Sequence, residues 1–398
     1  MTAVATEQDR AHLRRALELA ECGRGLVSPN PLVGAVLVKD DSPIGEGFHR
    51  ELGGVHAEVA ALTDSRERGE DPSGATMYVT LEPCAHHGRQ PPCTDAIIAA
   101  GVERVLVGAD DPSEKASGRG PGVLRDEGIE VTFADGAEAA AARLLNQAFR
   151  KHARTGRPLV TMKSAVTLDG RVATSGGESK WISGESSRAL VHRWRGESDA
   201  VAVGIGTVLA DNPLLTSRPA ESSAAEVPEG RRGGEAPMSG PAGSPVGLRQ
   251  PNRVIFDSTA RLPLDSKLVR SLDEAAVTVI AAHGAPDDRV AALRGAGVEV
   301  IVAGGSRVER VGSALAELGR RETTSLLIEG GPILAGAFLD AGEIDELRLF
   351  IAPRVLGGGK PLIEGAGAER MADAAEALAV EWGRVGDDLL ARARLREW

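Results

Sequence analysis

Three side chains in the first hundred residues are of the kinds that hold a metal ion, namely His56, Cys84 and Cys93. One imidazole and two thiolates suit a tetrahedral zinc ion that keeps its fourth position open for water. Glu58 is not needed as a ligand, so its carboxylate can move protons at that water. Zinc lowers the pKa of bound water towards neutrality, and attack of that water on a ring carbon bearing an amine would release ammonia. The pattern predicts hydrolytic removal of an amino group.

The same donors have a second interpretation, a structural zinc site. Such sites usually have four protein ligands, and His86 or His87 could supply the fourth. The H-x-E and P-C elements are those of zinc deaminases, in which two residues commonly separate the cysteines. Here eight residues separate Cys84 from Cys93, which points away from the common cytidine deaminases.

Length, composition and charge favour some classes of protein and argue against others. The 398 residues are 42% hydrophobic and 26% charged, which predicts a soluble globular protein of two domains. The net charge of −11 argues against a nucleic-acid-binding surface. Two of the three cysteines lie in the metal pattern, which leaves no pair for a disulfide and suits a reducing cytosol. The sequence shows no signal-peptide core and no membrane-spanning apolar run, so we expect a cytoplasmic protein.

Helical and extended patterns alternate along the chain, which predicts a layered α/β architecture. A helix is expected over residues 7–22, another from His56 through 62, and a third capped by Thr94. The composition of residues 219–250 predicts a mobile insertion, and we expect domains at 1–152 and 153–398. Strands are predicted over residues 33–38, 76–80, 104–108, 159–162, 200–203, 253–256, 277–281, 299–302, 326–328 and 347–351.

Several segments resemble the bifunctional riboflavin-biosynthesis deaminase/reductase family, and they cover nearly the whole chain apart from the insertion. The segments are Ser28-Pro29-Asn30-Pro31-Leu32-Val33-Gly34, Gly45-Glu46-Gly47-Phe48-His49, His56-Ala57-Glu58, residues 80–89 and 91–96 around the two cysteines, and residues 163–171, 177–183 and 206–213.

For the first half, the resemblance implies a cytidine-deaminase-like α/β/α sandwich. It implies zinc on His56, Cys84 and Cys93, with Glu58 as the catalytic residue, and deamination of 2,5-diamino-6-ribosylamino-4(3H)-pyrimidinone 5′-phosphate. Substrate contacts carry over to Asn30, His49, His86 and Arg89. One departure is local: Ser113-Glu114 stands where the family usually has Asn-Pro.

For the second half, the resemblance implies a dihydrofolate-reductase-like α/β domain that uses NADPH to reduce the ribosyl group of 5-amino-6-(5-phosphoribosylamino)uracil to ribityl. A glycine turn into a helix start near 331 could hold the pyrophosphate, although such turns are common without a ligand. Arg195 and Arg218 suit a ribose phosphate, although single arginines are more often surface residues. The implied cofactor residues are Ala165, Trp181, Thr207, Asp211, Ser258, Gly331, Pro332, Ile333, Leu334, Ala335, Gly336 and Ala337. The implied substrate residues are Ser179, Arg195, Leu215, Arg218 and Glu329.

Two other hypotheses stay open at this point. One is a nucleobase or nucleic-acid deaminase with an accessory domain, against which the acidic charge balance counts. The other is a zinc-stabilised binding module, which would unfold on chelation and show no turnover. For the favoured hypothesis, we expect small phosphoribosyl pyrimidine substrates, no nucleic-acid or membrane partner, and a homo-oligomer.

Overall fold

The structure is a computed structural model that describes residues 6–88, 90–114, 116–218 and 249–398. The predicted insertion at 219–250 lies outside the described residues, apart from its last two positions.

The described residues divide into two compact units. The first comprises residues 6–155 together with Trp398, and the second comprises residues 156–218 and 249–397. The domain boundary expected after residue 152 falls inside the helix Gln147–Thr155, and the change of unit comes at the end of this helix.

The first unit is a five-stranded sheet with helices on both faces. Buried residues of α2, α3 and α4 pack on one face, and those of α1 and α5 pack on the other. The strands, in chain order, are β1 Gly34–Lys39, β2 Ser42–Phe48, β3 Thr76–Val79, β4 Arg104–Val107 and β5 Glu130–Phe133. The helices are α1 Glu7–Glu21, α2 Ala57–Glu67, α3 Cys93–Ala99, α4 Arg119–Asp126, α5 Gly136–Leu145 and α6 Gln147–Thr155.

Strand order in this sheet is β2-β1-β3-β4-β5, with β3, β4 and β5 parallel and the β1 pairings antiparallel. The middle of β1 is an unbroken buried apolar run because both of its faces are covered. Ala35 and Leu37 point to the α2 side, whereas Val36 and Val38 point to the α1 side, as the two-residue period of a strand requires. The predicted α/β/α sandwich is confirmed.

The second unit is a nine-stranded sheet in the order β11-β10-β9-β8-β12-β6-β13-β16-β15, with a separate pair β14-β7. The pairings from β11 through β13 are parallel, and the two that involve β16 are antiparallel. The strands are β6 Leu159–Thr167, β7 Arg171–Ala173, β8 Ala200–Gly204, β9 Asn252–Phe256, β10 Val277–Ala282, β11 Glu299–Ala303, β12 Ser325–Ile328, β13 Glu346–Ala352, β14 Lys360–Pro361, β15 Ala379–Val385 and β16 Asp388–Arg394.

Helices cover both faces of this sheet. One core joins it to α7, α8 and α10, and the other joins it to α11 and α12. The bounds are α7 Glu185–Glu197, α8 Ile205–Asp211, α9 Lys267–Arg270, α10 Asp287–Gly295, α11 Arg307–Arg320, α12 Pro332–Asp340 and a 3-10 turn at Met371–Asp373.

Two expected helix starts are wrong by one or two residues, and both errors concern the metal pattern. His56 is the N-cap of α2 and not part of the helix, with extended backbone angles. The third helix begins at Cys93 after Pro92 as N-cap, so Thr94 is inside the helix. Proline suits this place because its missing N–H would have no partner in a helix start.

Candidate functional site

The structure brings His56, Cys84 and Cys93 together, although they come from three separate places. His56 caps α2, Cys93 opens α3, and Cys84 lies in the loop after β3. One ligand atom from each lies within 4.8 Å of the other two. The His56 Nδ1 atom is 3.2 Å from Cys93 Sγ and 3.6 Å from Cys84 Sγ.

This donor set fits zinc. Nitrogen and thiolate sulfur are the ligands that zinc prefers, and three protein donors are typical of a catalytic site. A hydrogen bond from the Cys93 thiol, supported by His56, lowers the pKa of Cys84 to about 4. Zinc binds cysteine as the thiolate, so the lowered pKa of Cys84 favours metal binding, which would release the remaining thiol proton.

Glu58 lies in the first turn of α2 with only 3% of its surface exposed. Burial raises its pKa to about 6, and the negative charge of Cys84 adds to the rise. A carboxyl group whose pKa lies near the working pH can both accept and return a proton. The geometry therefore suits Glu58 to proton transfer beside the metal donors.

Asn30 and His49, both predicted to bind substrate, contact each other. The Val55 carbonyl accepts a hydrogen bond from His49 Nδ1 at 3.0 Å, which leaves Nε2 as the acceptor for the Asn30 amide at 3.1 Å. Burial lowers the pKa of His49, in keeping with a neutral ring. The ring centroids of His49 and His56 are 5.5 Å apart, so this pair adjoins the metal donors.

His86 lies in the loop between the two cysteines, where its buried Nδ1 atom has no hydrogen-bond partner among the residues described. The other predicted substrate residue of this loop, Arg89, lies outside the described residues. Asp111 interacts electrostatically with His86, and burial raises the pKa of the Asp111 carboxyl.

The residues that hold the Cys84 loop in place were not predicted from the sequence. The buried Glu82 carboxylate accepts a hydrogen bond from the Asp111 amide at 3.5 Å. A Cβ atom at Gly120 would lie 1.8 Å from the Pro83 carbonyl oxygen, so only glycine lets α4 approach this loop. Glu82, the residue before Pro83-Cys84, was the one sequence feature that could have indicated this role. At the family departure, the Ser113 amide donates to Asp111 Oδ1 at 2.8 Å.

In the second unit, the predicted substrate residues Arg195 and Glu329 form a buried ion pair. Arg195 donates to both carboxylate oxygens of Glu329, at 2.6 and 2.9 Å, and to the Thr216 carbonyl at 3.2 Å. Burial alone would raise the pKa of Glu329, but attraction to Arg195 outweighs it and lowers the pKa. Lys163 Nζ lies 3.9 Å from Glu329, and burial lowers the pKa of this lysine. The carboxylate follows β12, whereas the two cations lie on α7 and β6.

The predicted pyrophosphate site is the start of α12. Gly331 is the N-cap and Pro332, which has no N–H, opens the helix. The Leu334 amide donates to the Gly331 carbonyl at 3.1 Å, so the Ile333 amide is the first-turn donor that has no acceptor within the helix. Ile333 is half exposed, and Thr207 lies 3.9 Å from where a Gly331 Cβ would be. A cradle of this kind fits an anionic cofactor group. Four predicted residues pack inward from this helix: Leu334, Ala335 and Ala337 lie in the core, and Gly336 contacts the Glu364 carbonyl.

The other predicted cofactor residues lie on several different elements of the second unit. Trp181 is 61% exposed, with the Arg188 guanidinium 4.6 Å from its ring centroid. Asp211 pairs with Lys180 at 3.4 Å. Ala165 lies in β6 and is partly buried, and Ser258 follows β9 and is exposed.

The remaining predicted reductase residues differ in exposure. The Leu215 side chain is buried in the core, and its backbone has a positive φ of 58°. Ser179 is half-buried. Arg218 is exposed, with its guanidinium 3.4 Å from His192 Nε2. Among the described residues, no helix is both long and apolar enough to cross a membrane.

Two families match separate parts of the chain. Residues 6–109 match the cytidine and deoxycytidylate deaminase zinc-binding region, and residues 158–390 match the RibD C-terminal domain. The first match contains all three metal donors and Glu58, and the second contains Arg195 and Glu329.

Whole-chain comparisons agree with these matches. The chain is 40% identical over 389 residues to the riboflavin biosynthesis protein RibD of Actinobacillus pleuropneumoniae, covering 97% of this chain and 95% of that protein. It is 39% identical over 391 residues to RibD of Escherichia coli, with coverage of 96% and 98%. Among solved structures, Acinetobacter baumannii RibD superposes with a TM-score of 0.80 at 37% identity, covering 98% of this chain and 99% of that one.

A second structure, from Thermotoga maritima, is described as a diaminohydroxyphosphoribosylaminopyrimidine deaminase/5-amino-6-(5-phosphoribosylamino)uracil reductase. It has a TM-score of 0.80 and 35% identity, with the same coverage. The resemblance inferred from the motifs is confirmed. The chain belongs to the RibD family, the bifunctional deaminase/reductases of riboflavin biosynthesis.

Proposed function

We propose that the first unit deaminates 2,5-diamino-6-ribosylamino-4(3H)-pyrimidinone 5′-phosphate and that the second unit reduces the ribosyl group of the product to ribityl. The observation that carries the first step is the cluster of His56, Cys84 and Cys93 beside the buried Glu58. The description of the Thermotoga relative supports both substrates.

In the deaminase step, His56, Cys84 and Cys93 would hold zinc, which would supply an activated water. Glu58 accepts the proton of that water and delivers it to the departing amine, a transfer that its pKa of about 6 permits in both directions. Burial keeps bulk water away from this carboxylate, so the proton stays at the reacting atoms.

Four residues bind the pyrimidine substrate in this proposal. The fixed Asn30–His49 pair presents polar groups beside the metal donors, and the unpaired His86 Nδ1 is available to a ligand. Arg89 carries the charge that an anionic substrate needs. His86 is assigned to the substrate and not to the metal, since the three clustered donors leave one position for water.

In the reductase step, NADPH supplies the hydride and the chain positions both reactants. Gly331, Pro332 and Ile333 hold the pyrophosphate at the start of α12, and Trp181, Thr207, Asp211, Ser258 and Ala165 line the rest of the cofactor site. Leu334, Ala335, Gly336 and Ala337 keep that helix in place through the core.

The ion pair of the reductase site indicates different roles for Arg195 and Arg218. Arg195 already donates to Glu329 and to Thr216, so we assign it the task of orienting Glu329 towards the substrate. The exposed Arg218 is left to bind the ribose phosphate. Lys163, which the sequence analysis did not assign to the substrate, joins Glu329 as a reductase residue. Ser179 and the backbone of Leu215 complete the substrate site.

We also propose a cytoplasmic homo-oligomer that binds no nucleic acid or membrane. Support comes from exposed apolar side chains on the edge hairpin β15–β16, where Val380, Trp382 and Leu389 are 44%, 62% and 39% exposed. All three side chains lie on one face of the hairpin. Val380 and Trp382 share a face of β15 with Arg384, and Leu389 lies directly opposite Arg384 on β16. Sedimentation tests this: the wild-type chain should be an oligomer and Trp382→Glu should shift it towards the monomer. An unchanged molar mass in Trp382→Glu would place the contact elsewhere.

The catalytic proposal is tested on purified, zinc-loaded protein. Ammonia release is measured with the diaminopyrimidine substrate, and NADPH oxidation is measured with its deaminated product. Both rates should be substantial, with the ribityl product identified by mass. Turnover of cytidine, or of cytosine in single-stranded nucleic acid, in place of the phosphoribosyl substrate would support the alternative of a nucleobase or nucleic-acid deaminase.

A further inference from the structure

The last residue of the sequence, Trp398, belongs to the first compact unit, where helix α6 holds it. The Gln147 side chain accepts from the Trp398 amide at 2.8 Å and donates to the Trp398 carbonyl at 3.2 Å. Lys151 Nζ lies 5.3 Å from the centroid of the indole ring. Backbone and side chain of Trp398 are thus both fixed by one face of α6.

Arg150 links this residue to a loop of the deaminase unit. Its side chain is nearly fully buried, and its Nε donates to the Trp398 carbonyl at 2.7 Å. The other two nitrogens donate to Asp110, one to the backbone carbonyl at 2.7 Å and one to Oδ1 at 3.0 Å. A buried guanidinium requires such partners, so the two ends of this bridge depend on each other.

Asp110 begins the loop that borders the proposed deaminase site. The preceding carbonyl, of Ala109, accepts from the Glu82 amide at 3.0 Å, and the Asp111 amide donates to the Glu82 carboxylate. Asp111 also interacts with His86. The loop to which Arg150 is hydrogen-bonded therefore also contacts the segment that carries Cys84, and it interacts with His86, a predicted substrate residue.

We propose that Arg150 positions the Asp110–Asp111 loop of the deaminase and that its hydrogen bond to the Trp398 backbone contributes to this function. Neither residue touches the metal donors in this arrangement: the effect passes through Asp110 to the loop that carries Asp111. The inference rests on the deaminase site of the proposed function.

The test compares Arg150→Met with Arg154→Met, an exposed arginine of the same helix, in the zinc-loaded full chain. Arg150→Met should raise the KM of ammonia release about tenfold, the scale of effect for groups that orient a site from outside it, and leave kcat within about twofold. Zinc content and NADPH oxidation should match wild type, and Arg154→Met should leave both activities unchanged.

Two changes at position 398 separate the backbone contact from the ring contact. Trp398→Ala keeps the amide and carbonyl that Gln147 and Arg150 bind, so its KM should stay within about twofold of wild type. A chain that stops at Glu397 loses them and should reproduce the KM increase of Arg150→Met. This shortened chain keeps Arg150 and tests the proposal even if Arg150→Met fails to fold.

Unchanged KM in both Arg150→Met and the shortened chain would overturn the proposal. An equal loss of ammonia release and NADPH oxidation would also overturn it, because it would show general destabilisation. Failure of the proposed site itself gives a different result, since Glu58→Gln would then keep its ammonia release.

Discussion

The deaminase and reductase units differ in where the counter-ion for a buried negative charge comes from. In the deaminase unit, an imidazole and two cysteine sulfurs lie together beside a buried carboxyl group, and a bound cation would balance the thiolate charge that metal binding develops. In the reductase unit, Glu329 is already neutralised by Arg195 and Lys163. A buried negative charge costs free energy when it has no counter-ion, whereas a buried carboxylate that is paired with cations of the same chain already has its counter-ions in the folded state. The first site therefore depends on metal supply, and the second depends on its own side chains.

Removal of the metal is the strongest test of this difference. Chelation of the wild-type enzyme, or Cys93→Ser, should abolish ammonia release, because the three donors are what the ion needs. NADPH oxidation should continue at the wild-type rate. Cys22→Ser is the matched control, since Cys22 is the C-cap of α1, lies outside the donor cluster and should leave zinc content unchanged. Parallel loss of both activities on chelation would contradict this, because it would show that the reductase also depends on the metal, either directly or through the stability of the chain.

Glu58→Gln tests the next largest effect, the proton transfer. The amide keeps the shape but cannot accept the proton, so ammonia release should fall by about 10²- to 10⁴-fold. Zinc content, measured by elemental analysis, should stay at the wild-type value because Glu58 is not in the donor cluster. Glu67→Gln, an exposed change at the other end of α2, serves as the control. Loss of zinc in Glu58→Gln would show that the carboxylate is a ligand.

Arg195→Lys tests the self-paired cluster of the reductase. Lysine keeps the charge but cannot donate to both oxygens of Glu329 and to Thr216 at once, so NADPH oxidation should fall by about tenfold to 100-fold. Ammonia release and zinc content should not change. The control is Arg193→Lys, an exposed position on the same helix. A rate within twofold of wild type in Arg195→Lys would show that charge alone, and not the paired geometry, is what Glu329 requires.

Acid sensitivity gives the smallest effect and concerns the stability of the first unit. Burial would raise the pKa of Asp9, but hydrogen bonds from Arg104, Thr6 and Tyr78 outweigh it and hold the pKa well below its usual value. Because the folded pKa is depressed, the stabilisation is complete above the unfolded pKa of about 4 and is lost as the pH falls towards the folded value. Asp9→Asn should lower the stability of this unit by about 1.5–3 kcal/mol at pH 7.

The measurement for Asp9→Asn is calorimetric unfolding at pH 7 and at pH 3. The difference from wild type should shrink at pH 3, because the Asp9 carboxyl of the unfolded chain is then largely protonated while that of the folded chain is still ionised. Asp135→Asn, which removes an exposed partner of Arg10, should have little effect at either pH. A constant difference at both pH values would mean that Asp9 contributes through packing and not through its charge.

Two of the regions whose strands were not predicted from the sequence, β2 and the hairpin β15–β16, show why a strand can lack a recognisable pattern. In β2, Gly45 and Gly47 resemble a turn, yet a Cβ atom at either would lie 2.4 Å from backbone atoms of Ala61. Close packing of α2 against the strand requires these glycines, and only the folded partner shows this. The hairpin β15–β16 was missed because β15 is exposed on both faces, which leaves no core side to impose a pattern.

The sequence alone determined the family, the α/β architecture of both halves and the metal donors. It could do so because His56, Glu58, Cys84 and Cys93 lie in short segments whose spacing carries the chemistry. Tertiary structure decided that Arg195 and Lys163 both pair with Glu329, and that Arg150 joins Trp398 to Asp110. These contacts join residues far apart in the chain, and charged side chains gain such partners only when folding removes them from water.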